Sequence, residues 1–437
     1  MIMRQNYATS SLKEKKAADT PCPSISLLPT ALLYQFTGLS HAVATETSFA
    51  MSDFPFLDWN EEGAEKSARW RSESGTPPPK RVVIADDRMT ADAAYRLACE
   101  GTALLWRGDF HNAKQLLQAM ARRVDEKPRE QKNKKAPASA IDSFNLHRLA
   151  LSQRARTLGM LLIPFNADHS IPLRRAPDVT LACNEVFGLA TEPYVASLRG
   201  LQGLIGAYEW RKNGVEVAAL GARIHPHYGV FAPIRSEYVA LVNDTPLPQS
   251  LATQSLAFDI GTGTGVLAAV LARRGIKRIV ATDQDPRALA CANENLTRLS
   301  LSTQVEVVQA DLFPEGRAAL VVCNPPWVPA RPSSQLEYAV YDPESRMLKG
   351  FLNGLAAHLL PAGEGWLILS DLAEHLGLRT REELLAMIDT ARLKVLARID
   401  IKPSHPRVSD SSDPLHAARA AELTSLWRVA EKLPSLT

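Results

Sequence analysis

The sequence predicts an α/β protein whose C-terminal half is a doubly wound parallel sheet, covered by helices on both faces and preceded by a mainly helical module. Two observations carry this expectation. From about Val215, short apolar runs alternate with amphipathic stretches, the pattern of successive βαβ units. At four successive run ends stand polar residues: Asp259 with a glycine cluster, then Asp283, Asp311 and Asn324. Ligands of open parallel sheets gather at the carboxyl ends of strands, so four such residues in order point to a site.

Composition narrows the function classes. The chain has 437 residues, 46% hydrophobic and 22% charged, enough for two or three domains. A net charge of +3, from 50 Lys and Arg against 47 Asp and Glu, neither demands nor excludes a nucleic-acid partner. Cys22, Cys99, Cys183, Cys291 and Cys323 are far apart, odd in number and without a CxxC. They fit neither a disulfide framework nor a zinc site, and reduced thiols imply a cytoplasmic protein. No stretch approaches the roughly 18 consecutive apolar residues of a membrane-spanning helix.

Residues 1–80 are rich in Ser, Thr, Pro and charge and read as a disordered or peripheral extension. Lys13, Lys15 and Lys16 before "ISLLPTALLYQF" loosely imitate a secretory leader, but Pro29 interrupts the apolar run; Met51 is an alternative start. Residues 81–214 form the helical module, which serves the substrate or an auxiliary role. Thr90 caps its first helix, Ala94, Leu97 and Ala98 recur at helical spacing, and so do Leu116, Leu117 and Met120, with "GDFHN" as the turn between two helices. "DEKPREQKNKKAPAS" is an exposed charged linker, and further helices surround "IPFNADHSIPLRRAPDV".

Residues 215–437 form the sheet domain. "VEVAALGARI" and "GVFAPIRSEYVALV" are short β-like runs around "HPHYG". Leu256–Ile260 is the first strand of the βαβ series; Gly261, Gly263 and Gly265 make a turn, and a helix follows from Val266 to Arg274. The spacing GxGxG is not the GxGxxG of dinucleotide sites, and no GK[ST] follows, which excludes a P-loop. The carboxylate of Asp259 two residues before the glycines suits an amine- or hydroxyl-bearing ligand better than a pyrophosphate. "KRIVATD" ends in Asp283, where doubly wound folds grip ribose hydroxyls, and a helix starts near Pro286. "VEVVQAD" places Asp311 at the end of a third strand, and "RAALVVCNPPW" ends a fourth. A helix and a fifth strand lie within "DPESRMLKGFLNGLAAHLLPAGEGWLILSD", "REELLAMIDTA" is a helix, and "LKVLARIDI" with "LTSLWRVA" closes the sheet as an antiparallel pair. The polar insertion at residues 402–420, with surface histidines His405 and His416, could reach the mouth of the site.

The four motifs together, D-x-G-x-G-x-G, the acidic end of the second strand, the "AD" after the third and N-P-P-W after the fourth, resemble class I S-adenosylmethionine-dependent methyltransferases over roughly residues 215–437. That resemblance implies a Rossmann-like seven-stranded sheet and S-adenosyl-L-methionine as cofactor. It implies Gly261, Gly263 and Gly265 at the methionine part, Asp259 near its amino group, Asp283 on the ribose and Asp311 on the adenine amine. The N-P-P-aromatic corner resembles the subset that methylates nitrogen on a planar group, namely an adenine, a cytosine or a glutamine amide. The Asn324 side-chain carbonyl and the Pro325 backbone carbonyl would each accept one N–H, aiming the nitrogen lone pair at the methyl. Pro325 and Pro326 would stiffen the corner, and Trp327 would stack on the substrate.

Two further segments resemble the HemK-type protein glutamine methyltransferases. Pro233, Arg235 and Glu237 stand where that group has Pro-Arg-x-x-Glu, with Ile234 inserted, and Asp342-Pro343 resembles its acidic-Pro pair. Trp327 replaces its usual tyrosine. The resemblance therefore implies a protein partner presenting glutamine, a translation factor or ribosomal protein, with Arg235 at the substrate. An RNA base methyltransferase is the alternative, with Arg174, Arg175, His225, His227 and the linker lysines as its RNA surface. A module that binds the cofactor without transfer, and a nicotinamide oxidoreductase, are the contrasting readings. The "HPH" spacing is too short for a metal pair, so no metal is expected.

Overall fold

The computed structural model describes residues 54–126, 139–332, 337–403 and 410–432. The expectations for residues 1–53, the linker lysines and His405 lie outside them. The first sheet is built from β1 (Phe56–Glu61), β2 (Ala64–Arg71), β3 (Arg81–Ala85), β4 (Thr102–Trp106), β5 (Leu161–Phe165) and β6 (Tyr194–Ser197), in the order β1-β2-β6-β5-β4-β3. Around it lie α1 (Ala91–Cys99), α2 (Phe110–Asp125), α3 (Ala140–Gly159), α4 (Thr180–Phe187) and α5 (Leu198–Asn213).

This corrects two expectations. The module is not mainly helical but a mixed six-stranded α/β layer, and residues 56–71, assigned to a peripheral extension, are its antiparallel β1–β2 hairpin. The reason is burial on both faces. In "TALLW", Leu104 and Trp106 join one core cluster while Ala103 and Leu105 join another, so β4 has no polar alternation to announce it. The expected turn "GDFHN" is instead a strand-to-helix corner: Asp109 caps α2 by accepting from the His111 N–H at 2.9 Å. Thr90 does cap α1 as predicted.

A small antiparallel hairpin follows, β7 (Val215–Val217) and β8 (Ala222–Ile224), then α6 (Glu237–Asp244). "GVFAPIRSEYVALV" is therefore not β-like: it is an irregular approach to a helix. The second sheet contains β9 (Leu256–Ile260), β10 (Arg278–Asp283), β11 (Val305–Gln309), β12 (Ala318–Cys323), β13 (Leu359–Ser370), β14 (Leu393–Ile401) and β15 (Thr424–Glu431), in the order β11-β10-β9-β12-β13-β15-β14. The first five are parallel and β14–β15 is an antiparallel pair, as predicted. Its helices are α7 (Val266–Arg273), α8 (Pro286–Arg298), α9 (Arg346–His358), the short α10 (Leu372–His375), α11 (Arg381–Thr390) and α12 (His416–Ala421).

Alternation along the central strands feeds two cores. Ala257, Leu320 and Val322 face α6, α7 and α8, whereas Phe258, Ile260, Val321 and Cys323 face α9 and α11. From β9 the chain winds outward through β10 and β11, then returns to β12 on the other side of β9. The crevice between the carboxyl ends of β9 and β12 is thus the topological switch point, the position where such sheets bind ligands. Among the described residues, no helix is long and apolar enough to cross a membrane.

Candidate active site

Strand β9 delivers Asp259 to one side of the switch point, and the carboxylate is buried, 1% exposed. Its Oδ2 accepts from the Thr262 hydroxyl at 2.7 Å and from the Ala268 N–H at 3.0 Å, tying the glycine turn to the first turn of α7. Burial pushes its pKa up to about 6, only partly opposed by those two donors. Gly261, Gly263 and Gly265 have φ of 70°, 57° and 79°, all in the left-handed region that favours glycine. Two of them are also crowded: a Cβ at Gly261 would lie 2.5 Å from Met347 Cε, and one at Gly265 would lie 3.3 Å from Ala292 Cα. Gly263 is open, with Val230 Cγ1 the nearest neighbour at 4.0 Å.

Asp283 ends β10 as predicted. Its Oδ2 accepts from Gly263 N–H at 3.0 Å and its Oδ1 from Asp285 N–H at 3.0 Å. Burial raises the pKa of the carboxyl, partly opposed by these backbone donors. The second acidic residue is thereby locked to the middle of the glycine turn, a contact that the 20-residue separation conceals. Asp311 does not end β11, which stops at Gln309; it follows two residues later, is exposed, and pairs with Arg346 at 3.3 Å.

Across the crevice, β12 ends at Cys323 and the chain turns through Asn324-Pro325-Pro326-Trp327. Pro325 is buried and Asn324, Pro326 and Trp327 are half-buried. The Trp327 Nε1–H donates to Asn324 Oδ1 at 2.8 Å. Val328 N–H then donates to Val340 O, and Asp342 N–H to Val328 O, which folds the Asp342-Pro343 segment back onto the corner. Asp342, buried, accepts from Met347 N–H at 2.9 Å and Leu348 N–H at 3.1 Å, anchoring the start of α9. Leu415, from the polar insertion, packs in the same cluster as Val328 and Tyr341 beside this corner.

Arg235 departs from its expected role at the substrate. It is 4% exposed, and its guanidinium donates to Glu237 at 2.8 Å and Glu422 at 3.1 Å with Cζ 5.3 Å from the Trp327 ring centroid. Two carboxylates and an indole enclose it, so it is closed to a substrate. Glu422 was illegible from sequence because it lies 187 residues downstream of Arg235.

The residues proposed for an RNA surface are dispersed. Arg174 and Arg175 both bind the buried Asp109, at 2.9 and 2.7 Å, in the first module. His225 Nδ1 meets the Arg211 carbonyl at 2.6 Å and His227 Nε2 meets Glu294 at 2.7 Å, so both histidines brace the joint between the modules. Among the described residues, no His, Cys, Asp or Glu cluster could hold a metal. Asn295 was not singled out by sequence, yet it links this joint to the site: its Oδ1 accepts from His225 N–H at 2.8 Å and its amide donates to the Thr264 carbonyl at 3.1 Å.

The glycine turn and the Asn-Pro-Pro-Trp corner face each other across the switch point between β9 and β12. Residues 222–374 match the family model "Methyltransferase small domain". The chain is 32% identical over 157 residues to the release factor glutamine methyltransferase of Cereibacter sphaeroides, covering 32% of this chain and 55% of that one. It is 49% identical over 69 residues to the ribosomal protein L11 methyltransferase of Pelotomaculum thermopropionicum, covering 15% and 22%. It is 28% identical over 180 residues to the tRNA1(Val) (adenine(37)-N6)-methyltransferase of Shewanella loihica, covering 39% and 70%. The chain spans about half or less of the length of the first two.

Proposed function

We propose that the protein is an S-adenosylmethionine-dependent N-methyltransferase acting on a planar nitrogen, and that its substrate is a glutamine side-chain amide in a protein. The observation that carries this reading is the placement of the Asn324 carboxamide across the switch point from the glycine turn and Asp283. The cofactor fits the residues present. Gly263 leaves open space where a side chain would stand, Asp283 at the end of β10 supplies a carboxylate for vicinal hydroxyls, and buried Asp259 supplies one for an ammonium group. When bound, S-adenosylmethionine supplies an electrophilic methyl on sulfonium sulfur.

The protein's own contribution is positioning. An amide nitrogen is a weak nucleophile because its lone pair is delocalised. Asn324 Oδ1 accepts one of its N–H groups and the Pro325 carbonyl the other, which turns the lone pair towards the methyl and stabilises positive charge growing on nitrogen. Trp327 stacks on the planar group with the part of its ring that Arg235 leaves uncovered. No general base is needed, since the proton can leave after transfer.

Release factor glutamine methyltransferases recur among the relatives, which supports a protein amide. A second reading, an RNA base nitrogen, is supported by the tRNA adenine relative, 70% of whose length is covered. The test of the shared chemistry is a pair of variants. Asn324→Ala should keep S-adenosylmethionine affinity within about twofold and lower turnover by about 10²–10³-fold. Asp283→Ala should weaken cofactor affinity at least tenfold in calorimetry. An Asn324→Ala enzyme with wild-type turnover would remove Asn324 from the reaction.

A further inference from the structure

We infer that Trp327 and Arg235 are positioning residues that hold the Asn324 carboxamide in one of its two flip states; this rests on the reading of Asn324 as the acceptor for the substrate nitrogen. A carboxamide can present either its oxygen or its NH2 to a neighbour, and only the oxygen can receive an N–H. A flipped Asn324 would meet the substrate donor to donor. The indole Nε1–H is donor-only, so it bonds Oδ1 and rejects Nδ2. The observed 2.8 Å contact therefore selects the productive flip and leaves the second lone pair of Oδ1 for the substrate. A tyrosine hydroxyl at residue 327 could donate or accept, and would not select. This gives a chemical reason for tryptophan at the corner.

The indole is itself held. Arg235 lies over its face with Cζ 5.3 Å from the ring centroid, which attracts the ring and strengthens its N–H as a donor. Arg235 is fixed by Glu237 on the start of α6 and by Glu422 between α12 and β15. Glu422 Oε1 also accepts from the Ser370 hydroxyl at 2.6 Å at the end of β13, and Ser370 Oγ accepts from Leu372 N–H at 3.0 Å. The chain from Ser370 through Glu422, Arg235 and Trp327 to Asn324 thus spans four segments that meet at the carboxyl edge of the sheet. Each member except Asn324 and Trp327 is at most 5% exposed. A buried cation with two carboxylates is a poor source of stability but a rigid support, because removing one partner leaves an uncompensated charge.

The decisive comparison is Trp327→Phe, which keeps a flat ring under Arg235 and removes the N–H together with the second ring of the indole. In ¹H–¹⁵N spectra of the full-length wild type, the resonance that Trp327→Phe deletes should show slow hydrogen exchange. Asn324→Ala should shift it and make its exchange at least tenfold faster. Turnover of Trp327→Phe, measured with tritiated S-adenosylmethionine on whichever extract fraction the wild type labels, should fall about tenfold at unchanged KM and cofactor affinity. Arg235→Lys, which cannot span both carboxylates, should give a smaller kcat loss with the same signature. An indole N–H that exchanges freely, or is indifferent to Asn324→Ala, overturns the bond whether or not a substrate is found. A protected indole with wild-type kcat in Trp327→Phe overturns the positioning role. A fully active Asn324→Ala enzyme instead overturns the reading of the site on which the inference stands.

Discussion

Asp259 shows how much one buried carboxyl can do in this site. Its raised pKa of about 6 means that the fold favours the neutral acid. The stabilising contribution is complete below the ordinary Asp range near pH 4 and is lost as pH rises through about 6. At neutral pH the ionised form costs the fold up to about 3 kcal/mol, and an ammonium group of a bound ligand would offset that cost. Asp259→Asn keeps an acceptor for Thr262 and Ala268. It should therefore match or exceed wild-type stability at pH 8 while binding S-adenosylmethionine at least tenfold more weakly. Urea unfolding at pH 4 and pH 8 checks the first expectation, because the gap between wild type and variant should be wider at the higher pH. Arg235 marks the limit of sequence reading at this scale. Its segment was recognisable, but its burial between Glu237 and Glu422 depends on a residue far along the chain, and a charged side chain in a motif reads as exposed until its partners are known.

The glycine turn and the strands around it were legible as elements because local chemistry and tertiary need agree there. Leu256–Ile260, Arg278–Asp283 and the helix start at Pro286 fall where the sequence places them. Strands β4, β5 and β6 were not legible, since short runs buried on both faces have no period to separate strand from helix. "GVFAPIRSEYVALV" misled for the opposite reason: its β-branched and aromatic residues favour strand, yet burial of Tyr238, Val239, Leu241 and Val242 against α7 makes Glu237–Asp244 a helix. The turn also yields a contrast within one motif. Gly265→Ala must adopt φ 79° and press on Ala292, so it should lose about 2–3 kcal/mol of stability in urea titration. Gly263→Ala meets open space and should lose only about 1 kcal/mol, while blocking the cofactor.

The whole molecule joins two α/β modules through charge as well as packing. Arg211 on α5 bonds Glu294 on α8 at 2.7 Å and Glu185 on α4 at 3.1 Å, and His227 reaches the same Glu294. Burial alone would raise the Glu294 carboxyl, but hydrogen bonds from Arg298, His227 and Arg211 hold it down at about 2. A depressed carboxyl contributes its full stability above its ordinary range near pH 4.3 and loses it only as pH falls towards 2. Glu294→Gln should cost about 1–2 kcal/mol at pH 7 and speed hydrogen exchange in α5 and α8 more than in β9. Because Asn295 ties this joint to the Thr264 carbonyl, the first module is placed to influence the glycine turn. The corner receives one of two planar nitrogens, a protein amide or an RNA base. Transfer of tritiated methyl from S-adenosylmethionine into extract of cells lacking this protein, followed by separate protease and nuclease digestion, distinguishes them. Protease should release the label and nuclease should not, with the label recovered as methylated glutamine and absent with Asn324→Ala. Label that follows the nucleic acid would contradict the protein-amide reading, and no transfer to either fraction would contradict the enzyme.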